Sequence, residues 1–236
     1  MQPLIQVSGL TYRYPDGTQA LRGVDFTLGA RETVAVLGPN GSGKTTFLLR
    51  LMGLLKGDGE VQVCGQRLEK STLTFIRQKV GLLFQDSDDQ LFMPTVAEDV
   101  AFGPLNMGLE AAEVSRRVRQ ALELVGMQAA ASRAPYHLSA GEKHRVALAG
   151  VLATDPEIIL LDEPASFLDP PARSSLLATL RDLPQAKLIV THDLTLAREL
   201  ASRAVFFEQG KIVAEGGVED VIERFQWDMS SVVRRP

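Results

Sequence analysis

The sequence predicts an α/β fold. Its core comes in two blocks, residues 1–84 and 156–222, with an antiparallel β subdomain at the start and an α-helical subdomain inserted at 85–155. A C-terminal tail spans 223–236 and carries a short basic stretch at Arg234 and Arg235. Three observations carry this reading. Apolar runs of the kind buried in parallel sheets stand at 33–37, 157–161 and 187–190. The first run empties into a glycine-rich loop, Gly38-Pro39-Asn40-Gly41-Ser42-Gly43-Lys44-Thr45, and then into an apolar helix. Between Gln85 and about Asp155 no strong strand pattern occurs, and helical stretches follow one another instead.

Leu4 to Leu10 alternates as a strand, and Pro15-Asp16-Gly17 is a turn signal before a second alternating run, Val24 to Leu28. Thr33 to Leu37 is the buried strand ahead of the glycine-rich loop, and Thr46 to Leu55 is apolar almost all round, as a buried helix is. Val61 to Val63 and Val80 to Phe84 add short strands joined by a polar, helical connection. In the insert, Glu98 to Asn106 reads as a short helix ended by Pro and Gly. Glu110 to Val125 sets Val114, Val118, Ala121, Leu122 and Val125 on one helical face, with Arg116, Arg117 and Arg119 on the solvated one. Glu142 to Ala153 is the next helix. Glu157 to Leu161, a helix around Ala172 to Leu180, and Lys187 to Val190 form a βαβ unit. A helix at Leu194 to Ala201, a hairpin from Val205–Phe207 and Lys211–Ala214, and a helix at Val218 to Phe225 complete the chain.

With 45% hydrophobic and 23% charged residues over 236 positions, the composition is that of an ordinary globular protein. A net charge of −4 argues against nucleic acid as a partner. The lone cysteine, Cys64, lies in a strand-like run and reads as structural. No run approaches the ~20 apolar residues of a membrane span, and the first residues lack the pattern of a signal peptide. Any work at a membrane is expected to go through an embedded partner.

The loop at 38–45 fits G-x-x-x-x-G-K-[ST], the P-loop, and its strand–loop–helix setting separates it from a mere glycine-rich turn. Such a loop turns backbone N–H groups toward a polyphosphate, and the helix N-terminus adds positive potential. Lys44 is placed to reach the β- and γ-phosphates, and the Thr45 hydroxyl to ligate Mg²⁺. A P-loop NTPase core is therefore expected. Ile158 to Glu163 is an apolar strand ending in two acids: Asp162 suits a Mg²⁺ contact, direct or through water, and Glu163 suits a general base or a water-positioning group. Ser139 with Glu142 three residues on is a capping box, so a helix starts there, and a capped N-terminus also attracts anions. His137 and His144 lack acidic or cysteine partners at ligand spacing and are read as non-ligands.

Taken together, these stretches resemble the nucleotide-binding subunit of an ABC transporter over nearly the whole chain. Gly38 to Thr45 is similar to the Walker A motif, Gln85 to the Q-loop glutamine, and Leu138 to Glu142 to the signature Leu-Ser-Gly-Gly-Gln. Asp162 and Glu163 resemble Walker B and its catalytic glutamate, Ser166-Phe167-Leu168-Asp169 the D-loop, and Thr191-His192-Asp193 the switch histidine region. The resemblance implies ATP as substrate with Mg²⁺ as cofactor. It implies Glu163, His192 and Gln85 at the chemistry, and Thr45, Gln85 and Asp162 around the metal. ATP contacts are implied for Asn40, Gly41, Ser42, Gly43, Lys44, Thr45 and Thr46, and for Ser139, Gly141 and Glu142 across a dimer of two copies. Of the two upstream aromatics, Tyr12 and Tyr14, alignment to the family favours Tyr14 for stacking on adenine. The chain departs from the pattern at Ala140, Glu142 and Phe167.

The stretches 84–92 and 94–106 resemble ATPases of energy-coupling-factor (ECF) importers, which take up nickel, cobalt and vitamins, and the short C-terminus resembles those of nickel or cobalt systems. The resemblance implies a homodimer working with a transmembrane coupling subunit and a substrate-binding membrane subunit, at the cytoplasmic face of the membrane. Ni²⁺ or Co²⁺ is the first cargo reading and a vitamin such as biotin the second. A soluble, non-transport ABC ATPase is the remote alternative. Gln85 to Phe92 mixes Asp86, Asp88 and Asp89 with Leu91 and Phe92, which suits docking of a short Arg-bearing helix of the coupling subunit.

Overall fold

In a computed structural model describing residues 2–166 and 168–227, the chain opens as a hairpin. Strands β1 (Ile5–Arg13) and β2 (Gln19–Leu28) pair antiparallel around the predicted turn, where Tyr14 N donates to Thr18 O at 2.8 Å and Asp16 accepts Thr18 N at 2.9 Å. β3 (Thr33–Leu37) is buried from Val34 on and feeds α1 (Lys44–Leu51), which stops a turn short of the expected Leu55. β4 (Glu60–Val63) pairs with β1, and β5 (Gln66–Arg67), too short for a sequence pattern, pairs with β4. Cys64 falls in the turn between these two strands, with a left-handed φ of 48°. α2 (Leu73–Lys79), β6 (Val80–Leu83), α3 (Val96–Asn106), α4 (Ala111–Leu124), α5 (Ala140–Ala153), β7 (Ile158–Asp162) and α6 (Pro170–Asp182) follow. The chain then returns through β8 (Ala186–Val190), α7 (Leu194–Leu200), β9 (Arg203–Glu208), β10 (Lys211–Gly216) and α8 (Val218–Phe225). No helix among the described residues is long and apolar enough to cross a membrane.

The chain divides into two units, one made of residues up to Leu73 and from Ala186 on, the other of Thr74–Gln185. In the first unit, β2-β1-β4-β5 form an antiparallel sheet, and β10-β9-β3-β8 run side by side with β3 parallel to both β8 and β9. Phe47 of α1, fully buried, touches both sheets: its ring centroid lies 5.4 Å from that of Phe26 on β2 and 5.3 Å from that of Phe207 on β9. This apolar wedge sets α1, and with it the loop before it. Beyond the second sheet, Ala197, Val221 and Ile222 pack on Ala35, Leu37 and Phe206, and Phe225 stacks on Phe206 at 3.8 Å. Arg203 ties the sheets through Glu32 (2.7 Å), Glu215 and the Thr27 carbonyl (2.6 Å).

In the second unit β6 and β7 pair parallel, from Val80 opposite Ile158 to Leu83 opposite Leu161. Helices α3, α4 and α5 lie within the 85–155 stretch predicted as helical; the unit holding them also contains β6, β7 and α6. Thr95 caps α3 by accepting Glu98 N at 3.3 Å. The helix ends at Asn106, as expected, with Pro104 inside its last turn. On α4, Val114, Ala121 and Leu122 are buried and Arg116 and Arg119 exposed; Arg117 is half-buried, paired with Glu113 at 2.8 Å. The predicted tail begins inside α8, and its basic residues Arg234 and Arg235 lie outside the described residues.

α5 is the most buried helix of this unit, and its burial includes His144, 3% exposed. Nδ1 of His144 lies 3.1 Å from the Ser87 hydroxyl. Burial drives its pKa down from 6.5 to about 4, against a smaller opposing pull from the Pro164 carbonyl. An unfolded chain therefore takes up a proton near pH 6.5 that the folded chain refuses. The stability from this group is complete above about pH 6.5 and is lost as pH falls toward 4. Lowering the pH from 6.5 to 5 is expected to cost about 2 kcal/mol at this residue. The carboxylates whose pKa is held down act below this window. Urea unfolding at pH 7 and pH 5 checks it: His144→Gln should flatten the slope, and equal slopes in parent and variant would assign the pH dependence elsewhere.

Candidate functional site

The first unit builds a phosphate cradle. Gly43 precedes α1 with φ 108°, so the helix starts without a side-chain cap and its first N–H groups face the loop. Lys44, 7% exposed, curls back so that Nζ donates to the carbonyls of Gly38 (2.8 Å) and Pro39 (2.9 Å). These bonds hold the ammonium inside the loop. The Ser42 hydroxyl is buried without a partner, whereas Asn40, Gly41 and Thr45 are exposed at the mouth. Thr46 is buried and bonds the Tyr14 hydroxyl at 3.0 Å. The Tyr14 ring meets Tyr12 edge to face at 4.8 Å, so the aromatic predicted for the base is anchored to the first turn of α1.

β3 and β8 are parallel neighbours, with Val36 opposite Val190. Their carboxyl ends therefore leave the same edge, and exposed His192 emerges on the edge that carries the P-loop. Thr191, 1% exposed, donates its N–H to Val36 O at 3.2 Å, and Asp193 caps α7 by accepting Leu196 N at 3.1 Å. The histidine is thus fixed between a buried anchor and a helix cap.

The second unit repeats that edge logic. β6 and β7 run parallel, so Gln85 after β6 and Asp162 with Glu163 at the end of β7 share one edge. Both acids are buried, at 4% and 8% exposure. Glu163 has a left-handed φ of 50°, a conformation that costs a non-glycine residue about 1–2 kcal/mol. Its carbonyl accepts Ser166 N at 3.0 Å, closing a tight turn. A cavity of about 330 Å³ gathers Gln85, Ser87, Ala140, Lys143, His144 and Ser166. Ser139 and Glu142 form the predicted capping box: the Glu142 carboxylate accepts Ser139 N at 2.8 Å, and the Ser139 hydroxyl accepts Glu142 N at 3.3 Å. Those contacts keep the Glu142 carboxyl below the usual range. Ala140 is the first residue of the helix and does not take a positive φ, so its Cβ causes no strain. Gly141 would accept a Cβ at ordinary contact distance from Ala172 and Leu168. Phe167, the departure in the D-loop stretch, lies outside the described residues.

The acids after Gln85 divide their labour. Asp86 caps the short turn 87–89 by accepting Asp88 N (2.9 Å), and Asp88 pairs with Lys143 at 2.6 Å. Asp89 instead lines a groove of about 340 Å³ with Gln90, Phe92, Asp99, Phe102 and Val151. Phe92 and Phe102 are 62% and 42% exposed and meet edge to face at 4.9 Å, an apolar floor open to solvent. Asp99 accepts the N–H groups of Phe92 and Met93 through one oxygen, both at 3.0 Å, while its other oxygen is buried without a partner. Burial raises its pKa. Sequence reasoning gave no part to Asp99 or Ser87 and read His144 only as a non-ligand; an acid among the apolar residues of Val96 to Phe102 was the one available signal.

The ABC transporter family profile matches residues 21–166. The energy-coupling factor transporter ATP-binding protein EcfA of Methanothermobacter thermautotrophicus is 49% identical, over 90% of this chain and 70% of the relative. Among solved structures, cbiO1 from Clostridium perfringens, part of the ABC transporter complex cbiONQ, superposes with a TM-score of 0.83 at 31% identity, covering 98% of each chain. The ATP-binding cassette MJ0796, in a dimeric post-hydrolysis state with ADP and Pi, gives 0.82 at 30% identity, over 91% of this chain and 98% of that one. With a P-loop, paired strand-end acids and a capped signature turn each in place, the chain belongs to the ABC transporter family, as an ATP-hydrolysing subunit of the energy-coupling-factor type.

Proposed function

We propose that this chain closes as a homodimer on ATP and Mg²⁺ and so drives an importer, with Ni²⁺ or Co²⁺ as cargo and a vitamin such as biotin as the second reading. The observation that carries the hydrolytic part is Glu163: a buried carboxylate beside Asp162, held in a left-handed turn at the end of β7. That is an expensive place for a glutamate with no chemical duty. Lys44 and the loop amides from Asn40 to Thr46 bind the phosphates, and Tyr14 takes the base. Glu163 takes the proton of the attacking water or aligns it, and His192 steadies the water and the γ-phosphate. Ser139, Gly141 and Glu142 meet the nucleotide held by the other copy, about a two-fold axis.

The donors offered to a metal are the exposed hydroxyl of Thr45, the exposed amide of Gln85 and the buried carboxylate of Asp162, all hard oxygens of the kind Mg²⁺ takes alongside substrate phosphates. When bound, Mg²⁺ neutralises charge on the β- and γ-phosphates. The chain sits at the cytoplasmic face of the membrane, held by the coupling subunit, which works with a substrate-binding membrane subunit; nucleic acid has no part. Docking uses the groove floored by Phe92 and Phe102, with Asp89 at its side. Purifying the intact membrane complex and assaying it for bound metal and vitamin decides the cargo; a vitamin without metal would reverse the order given.

Glu163→Gln is expected to bind ATP and accumulate as a closed dimer on gel filtration with Mg²⁺, and a monomeric ATP-loaded variant would refute dimer closure. Lys44→Ala removes the buried ammonium from the cradle and should weaken ATP binding at least tenfold, the worth of about one charge-assisted hydrogen bond. Unchanged binding by titration would dismiss the P-loop reading. Asp89→Arg should leave basal hydrolysis within a few-fold of parent and abolish capture of the co-expressed coupling subunit, by charge repulsion across the groove. Normal assembly would move the docking site elsewhere. Asp88 is the poorer choice for that test, because its ion pair with Lys143 is lost with it.

A further inference from the structure

His144 occupies a place that the roles above leave unexplained. It lies one turn into α5, 3% exposed, and its two ring nitrogens look in different directions. Nδ1 meets the Ser87 hydroxyl at 3.1 Å, in the turn that follows Gln85. Beside this contact, Lys143 and Asp88 close an ion pair at 2.6 Å between the same two segments. The turn 87–89 is therefore tied twice to the helix that begins at the signature residues. Nε2 is buried and has no hydrogen-bond partner. The other backbone group that acts on the ring is that of Pro164, and no hydrogen bond to Nε2 is formed. Pro164 directly follows Glu163, and a proline restricts the backbone of the residue before it. Glu163 already holds a left-handed φ of 50°, so a displacement of the Pro164 peptide re-aims its carboxylate.

We propose that His144 is a positioning residue: it accepts from Ser87 at Nδ1 and donates from Nε2 to the Pro164 carbonyl, so that movement of the 85–89 segment sets the Glu163 carboxylate. In the resting geometry the second bond is open, as contacts at reacting centres commonly are before closure. The imidazole serves because it combines an acceptor and a donor on one rigid ring, which no aliphatic side chain of that size provides. The inference rests on the reading of Glu163 as the group that handles the attacking water.

The test uses the intact membrane complex, with kcat and KM for ATP measured for parent, His144→Leu, His144→Asn, Ser87→Ala and the Ser87→Ala/His144→Leu double variant. His144→Leu and Ser87→Ala should each lower kcat about five- to tenfold with KM within about twofold, the size expected for one neutral hydrogen bond acting in the transition state. His144→Asn places an amide near Nδ1 and should restore part of the loss. The double variant should be no worse than His144→Leu, because both substitutions break one link. A kcat for His144→Leu or Ser87→Ala within about twofold of parent overturns the proposal, as do additive losses unrelieved by Asn, which mark simple packing. If His144→Leu does not assemble, Ser87→Ala alone decides. A parent complex that does not hydrolyse ATP removes the function proposed above and this inference with it; a hydrolysing parent with indifferent variants removes this inference alone.

Discussion

The phosphate cradle depends on two places where the backbone comes too close for any side chain. A Cβ on Gly38 would collide with the Phe207 carbonyl, and a Cβ on Gly43 with the Ala20 carbonyl; both glycines also take positive φ. One contact presses the loop against β9 and the other against β2. The loop is thus gripped at both ends by different sheets, and Phe47 fills the space behind it. A third tie, Gly210 N to Ser42 O at 2.9 Å, fixes its middle. Rigid anchoring of this kind lets backbone amides face an anion without spending binding energy on ordering themselves.

Both units use parallel strands in the same way. Parallel strands emerge at a common edge, so residues distant in sequence share a neighbourhood without any direct pairing. In the first unit this puts His192 on the edge of the P-loop; in the second it puts Gln85 on the edge of Asp162 and Glu163. The flanking helix starts then lock the loops: Asp193 caps α7, Asp169 caps α6, and Ser139 with Glu142 boxes α5. Short loops between firmly capped helices and buried strands leave little freedom at the functional positions.

Much of this was legible in the chain because the signals are local. The P-loop spacing, the apolar run before it, the Pro-Asp-Gly turn and the Ser139–Glu142 box each act within a few residues, and each structure-forming interaction is found where the pattern puts it. What escaped has no local signal. Ser87 and His144 are 57 positions apart, and Asp88 and Lys143 are 55. The acid-rich run reads in sequence as one docking stretch, yet Asp86 is a cap, Asp88 an ion-pair partner and Asp89 a groove wall; only packing tells them apart. Pro104 lies inside α3, where it removes one N–H donor, and the helix still runs through it to Asn106.

The turn at Glu163 has a consequence for how such a sequence drifts. A left-handed backbone at a non-glycine residue is a standing cost, and glycine would relieve it. Selection for abundance or heat resistance alone therefore pulls this position away from its carboxylate. With the role proposed for Glu163, selection for turnover is what holds the glutamate in place. Under that proposed role, directed-evolution campaigns that reward expression of this chain will be drawn toward inert variants here, and a screen for work done has to accompany any screen for yield.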